Sequence, residues 1–392
     1  MGMSYNFFAP TRVLFGAGQL NHLHEQVMPG KKAMVVISDG KSTKANGYLD
    51  RTLAELKMAG VDCIVFDKVA ANPLKSMVEA GAKLARTNGV DFIVALGGGS
   101  VMDAGKVMAM FIPQPSEDLW DYAAGTTGKK KPLDKEPLPW VAITTTAGTG
   151  SEVDAAGVIT KPETQEKIGV GAPALYARFA IVDPELMASV PPKFTAYQGF
   201  DALFHSVEGY ISNQANLLSD MFQRAAIENV GKYLVRAVKD GSDKEARAGM
   251  AFANTMSGYS MVSSACTSEH SLEQALSAYH GQLPHGAGLI MLSYEYFKFF
   301  IDKHACDKRF VEMARFLGKQ DASKPEDFLA VLKKLQADCG VADLKMSDYG
   351  VQPEEFPDMA KTARATMGML VACDPCPATD EEFAGIYQRS YR

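Results

Sequence analysis

DFIVALGGGSVMDAGKVMAMF, residues 91–111, contains the pattern that decides the fold. Its first half is a short unbroken apolar run ending in glycines, the mark of a strand buried on both faces. Its second half, SVMDAGKVMAMF (100–111), reads as a helix. The same unit recurs on either side. KKAMVVISDG (31–40) predicts a buried strand ending at Asp39, and 44–60 a helix. VDCIVF (61–66) predicts a strand and 74–88 a helix. PWVAITTTAGTGSEV (139–153) is a further strand running into a Gly/Thr loop, and 5–15 is strand-like. Such alternation specifies a parallel sheet covered by helices. After Pro191-Pro192 the strands stop. Helical patterns cover 195–212, 216–240, 243–265, 270–279, 308–318, 325–338 and 355–371. The expectation is an α/β domain over 1–190 and an all-α domain over 191–392.

A chain of 392 residues, 47% hydrophobic and 22% charged, suits a folded two-domain protein. A net charge of −6 speaks against a surface for nucleic acid or anionic membrane. No apolar run reaches the roughly 18 residues of a membrane-spanning helix. The opening MGMSYNFFAPTRVLFGAG lacks the pattern of a signal peptide. Gly2 is not expected to be myristoylated, because Asn6 stands where Ser or Thr is required. Six scattered cysteines, with one lone C-x-x-C at Cys373 and Cys376, read as reduced thiols in a cytoplasmic protein.

Two loops are candidates for holding a nucleotide. Gly97-Gly98-Gly99-Ser100 joins a strand to a helix, where backbone N–H groups and the helix dipole favour phosphate. Thr144-Thr145-Thr146 leads into Gly148, Thr149, Gly150 and Ser151. Glycines at strand ends also make ordinary turns, but two such loops at strand carboxyl ends of one open sheet mark a ligand site. No G-x-G-x-x-G opens the chain, which disfavours an ordinary Rossmann dehydrogenase. Asp39, at the end of its strand, can accept hydrogen bonds from a ribose and would repel a 2′-phosphate, favouring NAD over NADP.

Five of the seven histidines fall in the helical half, and four of them are candidate ligands. Asp201 and His205 stand at i, i+4 on one helix face, a spacing that suits two ligands of one cation. His270, His280 and His285 follow within 16 residues. Imidazoles together with a carboxylate make a donor set for a divalent transition metal. His22, His24 and His304 lie in polar surroundings and read as surface residues.

With these blocks in order, the sequence resembles the iron-containing (group III) alcohol dehydrogenase family. FFAPTRVLFGAG, ALGGGSVMDAGK, ITTTAGTGSEV, GFDALFHSVEGY and LPHGAGL carry the resemblance. It implies a dehydroquinate synthase-like architecture, with a dinucleotide-binding α/β domain, a helical domain and the active site in a cleft between them. It assigns Asp201, His205, His270 and His285 as metal ligands. It assigns Asp39, Asn72, Gly98, Gly99, Ser100, Asp103, Thr144, Thr145, Thr149 and Lys167 to the cofactor. The family's second histidine, four residues after the third ligand, is replaced by Gln274, which cannot relay a proton. His280 is the substitute candidate. The implied activity is NAD-linked oxidation of a primary alcohol or diol to an aldehyde, with Fe²⁺ as metal and Zn²⁺ as the alternative. A homo-oligomer, commonly a dimer, is expected. The competing readings are a zinc glycerol or polyol dehydrogenase and a non-catalytic nucleotide-binding regulator.

Overall fold

The computed structural model describes residues 4–392, so Gly2 lies outside the described residues. The chain divides into two compact units. One comprises Ala9–Thr146 and Gly150–Ser189. The other comprises Val190–Arg392, the N-terminal stretch up to Phe8, and Ala147–Thr149.

The first unit is built in the order β1 (Arg12–Phe15), β2 (Lys32–Ser38), α1 (Ser42–Ala45), α2 (Tyr48–Met58), β3 (Asp62–Val69), α3 (Lys75–Asn88), β4 (Phe92–Gly97), α4 (Gly99–Phe111), β5 (Trp140–Thr144), β6 (Ala156–Lys161), β7 (Glu166–Gly171) and β8 (Phe179–Val182). Six strands form a parallel sheet in the order β1-β8-β5-β4-β2-β3, and β6 and β7 form a separate antiparallel hairpin. The central strands β4 and β5 are buried at every position, as expected where helices cover both faces. Leu96, Val94, Val35, Ile143 and Ile181 share one core with Leu49 and Leu56 of α2. Gly105 lets α4 lie close against β4, since a Cβ there would stand 2.9 Å from that of Ala95.

Details of the first unit depart from the sequence reading. The early strand is confined to Arg12–Phe15 rather than 5–15. Gly47, at φ 71°, breaks the expected 44–60 helix into α1 and α2. The strand before Asp39 ends at Ser38, leaving the carboxylate just beyond it.

The second unit contains α5 (Pro192–Ile211), α6 (Leu217–Lys239), α7 (Lys244–Ser264), α8 (Ser268–Tyr279), α9 (His285–Asp302), α10 (Asp307–Phe316), α11 (Glu326–Asp338), α12 (Phe356–Val371) and α13 (Asp380–Ser390). Its starts are set by local chemistry. Pro192 opens α5, where a missing N–H costs nothing. Asn216 caps α6 in a reciprocal box with Ser219, and Asp243 caps α7. Helix α5 is buried at nearly every position from Ala196 to Ile211 and is the axis around which α6, α7 and α9 pack. Among the described residues, no helix is long and apolar enough to cross a membrane.

Candidate metal centre and nucleotide loops

In the helical unit, three helices converge on one oxygen. Asp201 lies in the middle of α5 and His205 one turn later; His270 is in the first turn of α8 and His285 is the first residue of α9. Asp201 Oδ1 stands 3.3 Å from His205 Nδ1, 3.5 Å from His270 Nε2 and 3.5 Å from His285 Nε2. Donors bound at about 2.0–2.2 Å around a tetrahedral ion lie about 3.3–3.6 Å from one another, so these spacings fit one cation. Asp201, His205 and His270 are almost wholly buried, yet Asp201 Oδ1, His205 Nδ1 and His270 Nε2 have no hydrogen-bond partner. Buried polar atoms left in this way are costly unless something binds them. The donor set of one carboxylate and three imidazoles suits Fe²⁺ or Zn²⁺.

Titration without an ion shows the same strain. Burial alone would raise the Asp201 carboxyl, but the imidazoles of His205, His270 and His285 hold it well below the usual range. His205 is pushed down to about 3, first by burial and then by the charge of His270. His270 is raised well above its ordinary value: burial opposes protonation, but the charge of Glu208 overcomes it.

Two glutamates that the sequence reading missed orient the ring nitrogens. Glu208 contacts His270 Nδ1 and also accepts from the Thr267 N–H at 2.8 Å, and Glu273 contacts His285 Nδ1. Such carboxylate–histidine pairs fix the tautomer and make the outer nitrogen a better donor. The spacing signal was present: Asp201, His205 and Glu208 follow i, i+4, i+7 on one helix face, and Glu273 is three residues after His270.

Close backbone approach shapes the rim. Gly148 sits against Asp201, where an added Cβ would come within 3.1 Å of Oδ2 and 2.9 Å of the Gln198 carbonyl. Its N–H donates to Asn254 Oδ1 at 2.8 Å. Gly286 lets α9 meet α5, because a Cβ there would press into the Tyr197 carbonyl. Between α7 and α8, Ala265 adopts φ 60°, ψ 164°, a region almost reserved for glycine and costing about 1–3 kcal/mol. Gln274 is buried one turn after His270, with no hydrogen-bond partner for Oε1. His280 ends α8 and its Nε2 pairs with Glu355 at 2.9 Å, so the structure engages it there rather than with the imidazole cluster.

In the α/β unit the expected nucleotide residues gather at strand carboxyl ends. Asp39 follows β2, Asn72 follows β3, Gly98–Ser100 follow β4, and Thr144–Thr145 close β5; these strands are neighbours in the order β5-β4-β2-β3. The Thr145 N–H bonds to the Gly97 carbonyl at 2.9 Å, joining the two loops. Asp39 is exposed. Lys167 Nζ donates to Asn72 Oδ1 at 2.9 Å, and Asn72 has φ 52°. The Gly98 cap leaves the first turn of α4 without a side-chain cap, as a phosphate site requires. Asp103 is engaged in the scaffold: it accepts from Ser151 Oγ at 2.7 Å and from the Val158 N–H at 3.0 Å. Burial raises it to about 6, against the pull of Lys106. Thr149 belongs to the helical unit.

Sequence and structure comparisons identify the family. Residues 10–184 match the family model described as iron-containing alcohol dehydrogenase, and 195–391 match that of the Fe-containing alcohol dehydrogenase family, C-terminal. Among relatives matched along their whole length, a 1,3-propanediol dehydrogenase of Citrobacter freundii is 32% identical, covering 99% of this chain and 100% of its own. An NADH-dependent butanol dehydrogenase A of Clostridium acetobutylicum is 29% identical, covering 99% and 100%. The crystal structure of an archaeal halo-thermophilic Red Sea brine pool alcohol dehydrogenase superposes with a TM-score of 0.93 at 32% identity, covering 100% of both chains. With the two models together spanning nearly all of the sequence, and with donors suited to iron brought to one point, the chain belongs to the iron-containing alcohol dehydrogenase family.

Proposed function

We propose that the protein catalyses reversible oxidation of a primary alcohol or diol to the aldehyde with NAD, using Fe²⁺ held by Asp201, His205, His270 and His285. The observation that carries this reading is the convergence of three imidazole nitrogens on Asp201 Oδ1 at 3.3–3.5 Å. Two of the relatives named above are a 1,3-propanediol dehydrogenase and a butanol dehydrogenase. When bound, the ion supplies Lewis acidity toward the alcohol oxygen, lowering its pKa. The chain's residues do the rest. Glu208 and Glu273 hold His270 and His285 in the tautomers that leave their outer nitrogens as donors. Gln274 offers a buried amide oxygen to a substrate hydroxyl, an orienting role that replaces proton relay. His280, tied to Glu355, is the weaker candidate for any proton transfer.

On the nucleotide side, Gly98, Gly99 and Ser100 receive the phosphates, Thr144, Thr145 and Thr149 the neighbouring polar groups, and Asn72 with Lys167 the far side of the cofactor. Asp103 acts through the scaffold. Asp39 selects NAD: it favours a free 2′-hydroxyl and repels a 2′-phosphate, a discrimination of about 2–3 kcal/mol, or roughly 30–150-fold. The division into a dinucleotide domain over 1–190 and a metal domain over 191–392 follows from this reading, as does a cytoplasmic location for enzyme and cofactor. A homodimer is supported by β1, an edge strand with an exposed Phe15.

The test is a panel of primary alcohols, diols and their aldehydes, run with iron-loaded and zinc-loaded protein and with NAD and NADP. Iron-dependent turnover with NAD preferred by at least about 30-fold is expected. Asp39→Gly should raise kcat/KM for NADPH. Equal use of both cofactors by the unmodified protein would remove the role of Asp39. Inactivity on the whole panel with metal and NAD present would favour a nucleotide-binding regulator.

A further inference from the structure

The N-terminus of α8, which carries His270, is held by side chains from distant parts of the chain. Thr267 stands at the cap position, but its hydroxyl makes no capping bond to the helix. Instead that hydroxyl donates to Glu208 Oε2 at 3.1 Å, beside the Thr267 N–H at 2.8 Å. With Oε2 occupied in this way, Oε1 is the oxygen left for His270 Nδ1. The cap comes from Asp374, whose Oδ1 accepts from the Ser268 N–H at 2.9 Å. Tyr296 of α9 joins the two carboxylates. Its hydroxyl lies 2.9 Å from Thr267 Oγ1, 3.1 Å from Ser268 Oγ and 3.4 Å from Asp374 Oδ1. Burial, and then the charges of Asp374 and Glu208, raise that hydroxyl well above its ordinary value, so it stays a donor. Asn213 anchors the Asp374 turn by bonding the carbonyls of Ala372, Cys373 and Asp374. Glu208, Thr267, Ser268 and Tyr296 are fully buried and Asp374 nearly so.

We infer that Tyr296 and Asp374 are positioning residues of the metal centre, acting on His270 through Thr267, Ser268 and Glu208. A hydroxyl that accepts one hydrogen bond donates a stronger one, so the run from Tyr296 to Thr267 to Glu208 tightens at its carboxylate end. A carboxylate fixed in this way holds the His270 ring in one orientation, with Nε2 turned toward Asp201. Asp374 works from the other side. By accepting from the Ser268 N–H it sets where α8 begins, and so where His270 stands two residues later. Both residues thus act on the third imidazole from outside the donor set, one through the tautomer and aim of the ring, the other through the helix that carries it. The inference rests on the metal-centre reading above.

The experiment measures the Zn²⁺ affinity of the full chain by competition with a chelator, since Zn²⁺ accepts the same carboxylate and imidazole donors. Tyr296→Phe keeps the ring and removes the hydroxyl. It should lower affinity about fivefold, the scale of one hydrogen bond. In a Glu208→Gln background the same change should cost under about twofold, because the route to His270 is already cut. A role confined to the packing of α8 would cost the same factor in both backgrounds, and that result would overturn the inference. So would a loss under about twofold in Tyr296→Phe alone. Tyr387→Phe is the control. It removes a 2.6 Å bond to the Leu272 carbonyl of the same helix and should leave affinity within about twofold. A fivefold loss there would show that any bond to α8 counts, and would overturn the specific route. Asp374→Ala should lose about fivefold, whereas Asp374→Asn, whose amide oxygen still accepts from the Ser268 N–H, should retain affinity. Equal loss in both would overturn the part given to Asp374. No Zn²⁺ binding by the unmodified protein would overturn both the inference and the centre on which it rests. If Asp374→Ala fails to fold, the Tyr296 comparison decides, because that variant leaves the shape of the core unchanged.

Discussion

Replacing Glu208 by glutamine keeps the size of the side chain and removes its charge. The amide oxygen can still accept from the Thr267 N–H, so the start of α8 should survive. What is lost is the carboxylate on His270 Nδ1. Glu208→Gln should weaken metal affinity by about 10–100-fold, as measured by competition with a chelator of known affinity. A change under about twofold would show that Glu208 serves only the helix. The contrast with Asp201 and His205 explains what could be read beforehand. That pair is local and of mixed chemistry, so its spacing alone suggests a shared ligand. A glutamate on a long helix is ordinarily a solvated residue, and Glu208 meets His270 only across 62 residues of chain. Asp103 carries a second kind of contact that its motif does not announce. The motif places it beside the cofactor loop, but the fold turns its oxygens to Ser151 and Val158.

Helix ends were legible for some elements and not for others: α5 begins at Pro192, three residues before the expected 195. The predicted 325–338 and 355–371 segments differ from α11 and α12 by one residue. Helix α9 left no pattern, since HGAGLIMLSYEYFKFFID is apolar almost all round and offers no polar face to give a period. Helix α13, the hairpin β6–β7 and the short strand β8 were likewise unassigned; β8 has four residues, too few to separate from a loop. Yet α9 carries His285 at its first position and depends on Gly286 for its approach to α5. Gly286→Ala would force the two helices apart. We expect a loss of about 1–3 kcal/mol of stability, together with weaker metal binding, because His285 would be drawn away from Asp201. Calorimetry and chelator competition read the two effects separately. Full stability and affinity in the variant would mean that the helices adjust around the added methyl group.

All four proposed donors belong to the helical unit, so an ion held by them would tie α5, α8 and α9 together without drawing on the sheet. An ion bound to the native state alone stabilises it by about 2.7 kcal/mol at 100 times its dissociation constant. Removing it with a chelator should therefore lower the unfolding temperature of the helical unit. NAD affinity, read by fluorescence titration at low temperature, should change little, because all the residues proposed to hold the cofactor except Thr149 lie in the other unit. Equal destabilisation of both units would show that the ion's influence extends beyond its own helices. The chain's path adds a constraint of a different kind. Ala147–Thr149 sits between two segments of the sheet unit yet belongs to the helical one, and its Gly148 packs on Asp201 and bonds Asn254. A genetic crossover near residue 190 would deliver the helices with another parent's version of that three-residue loop. Such a crossover would exchange the loop that packs on Asp201 while keeping the helices it packs against, so at this loop the two halves of the gene form a matched pair.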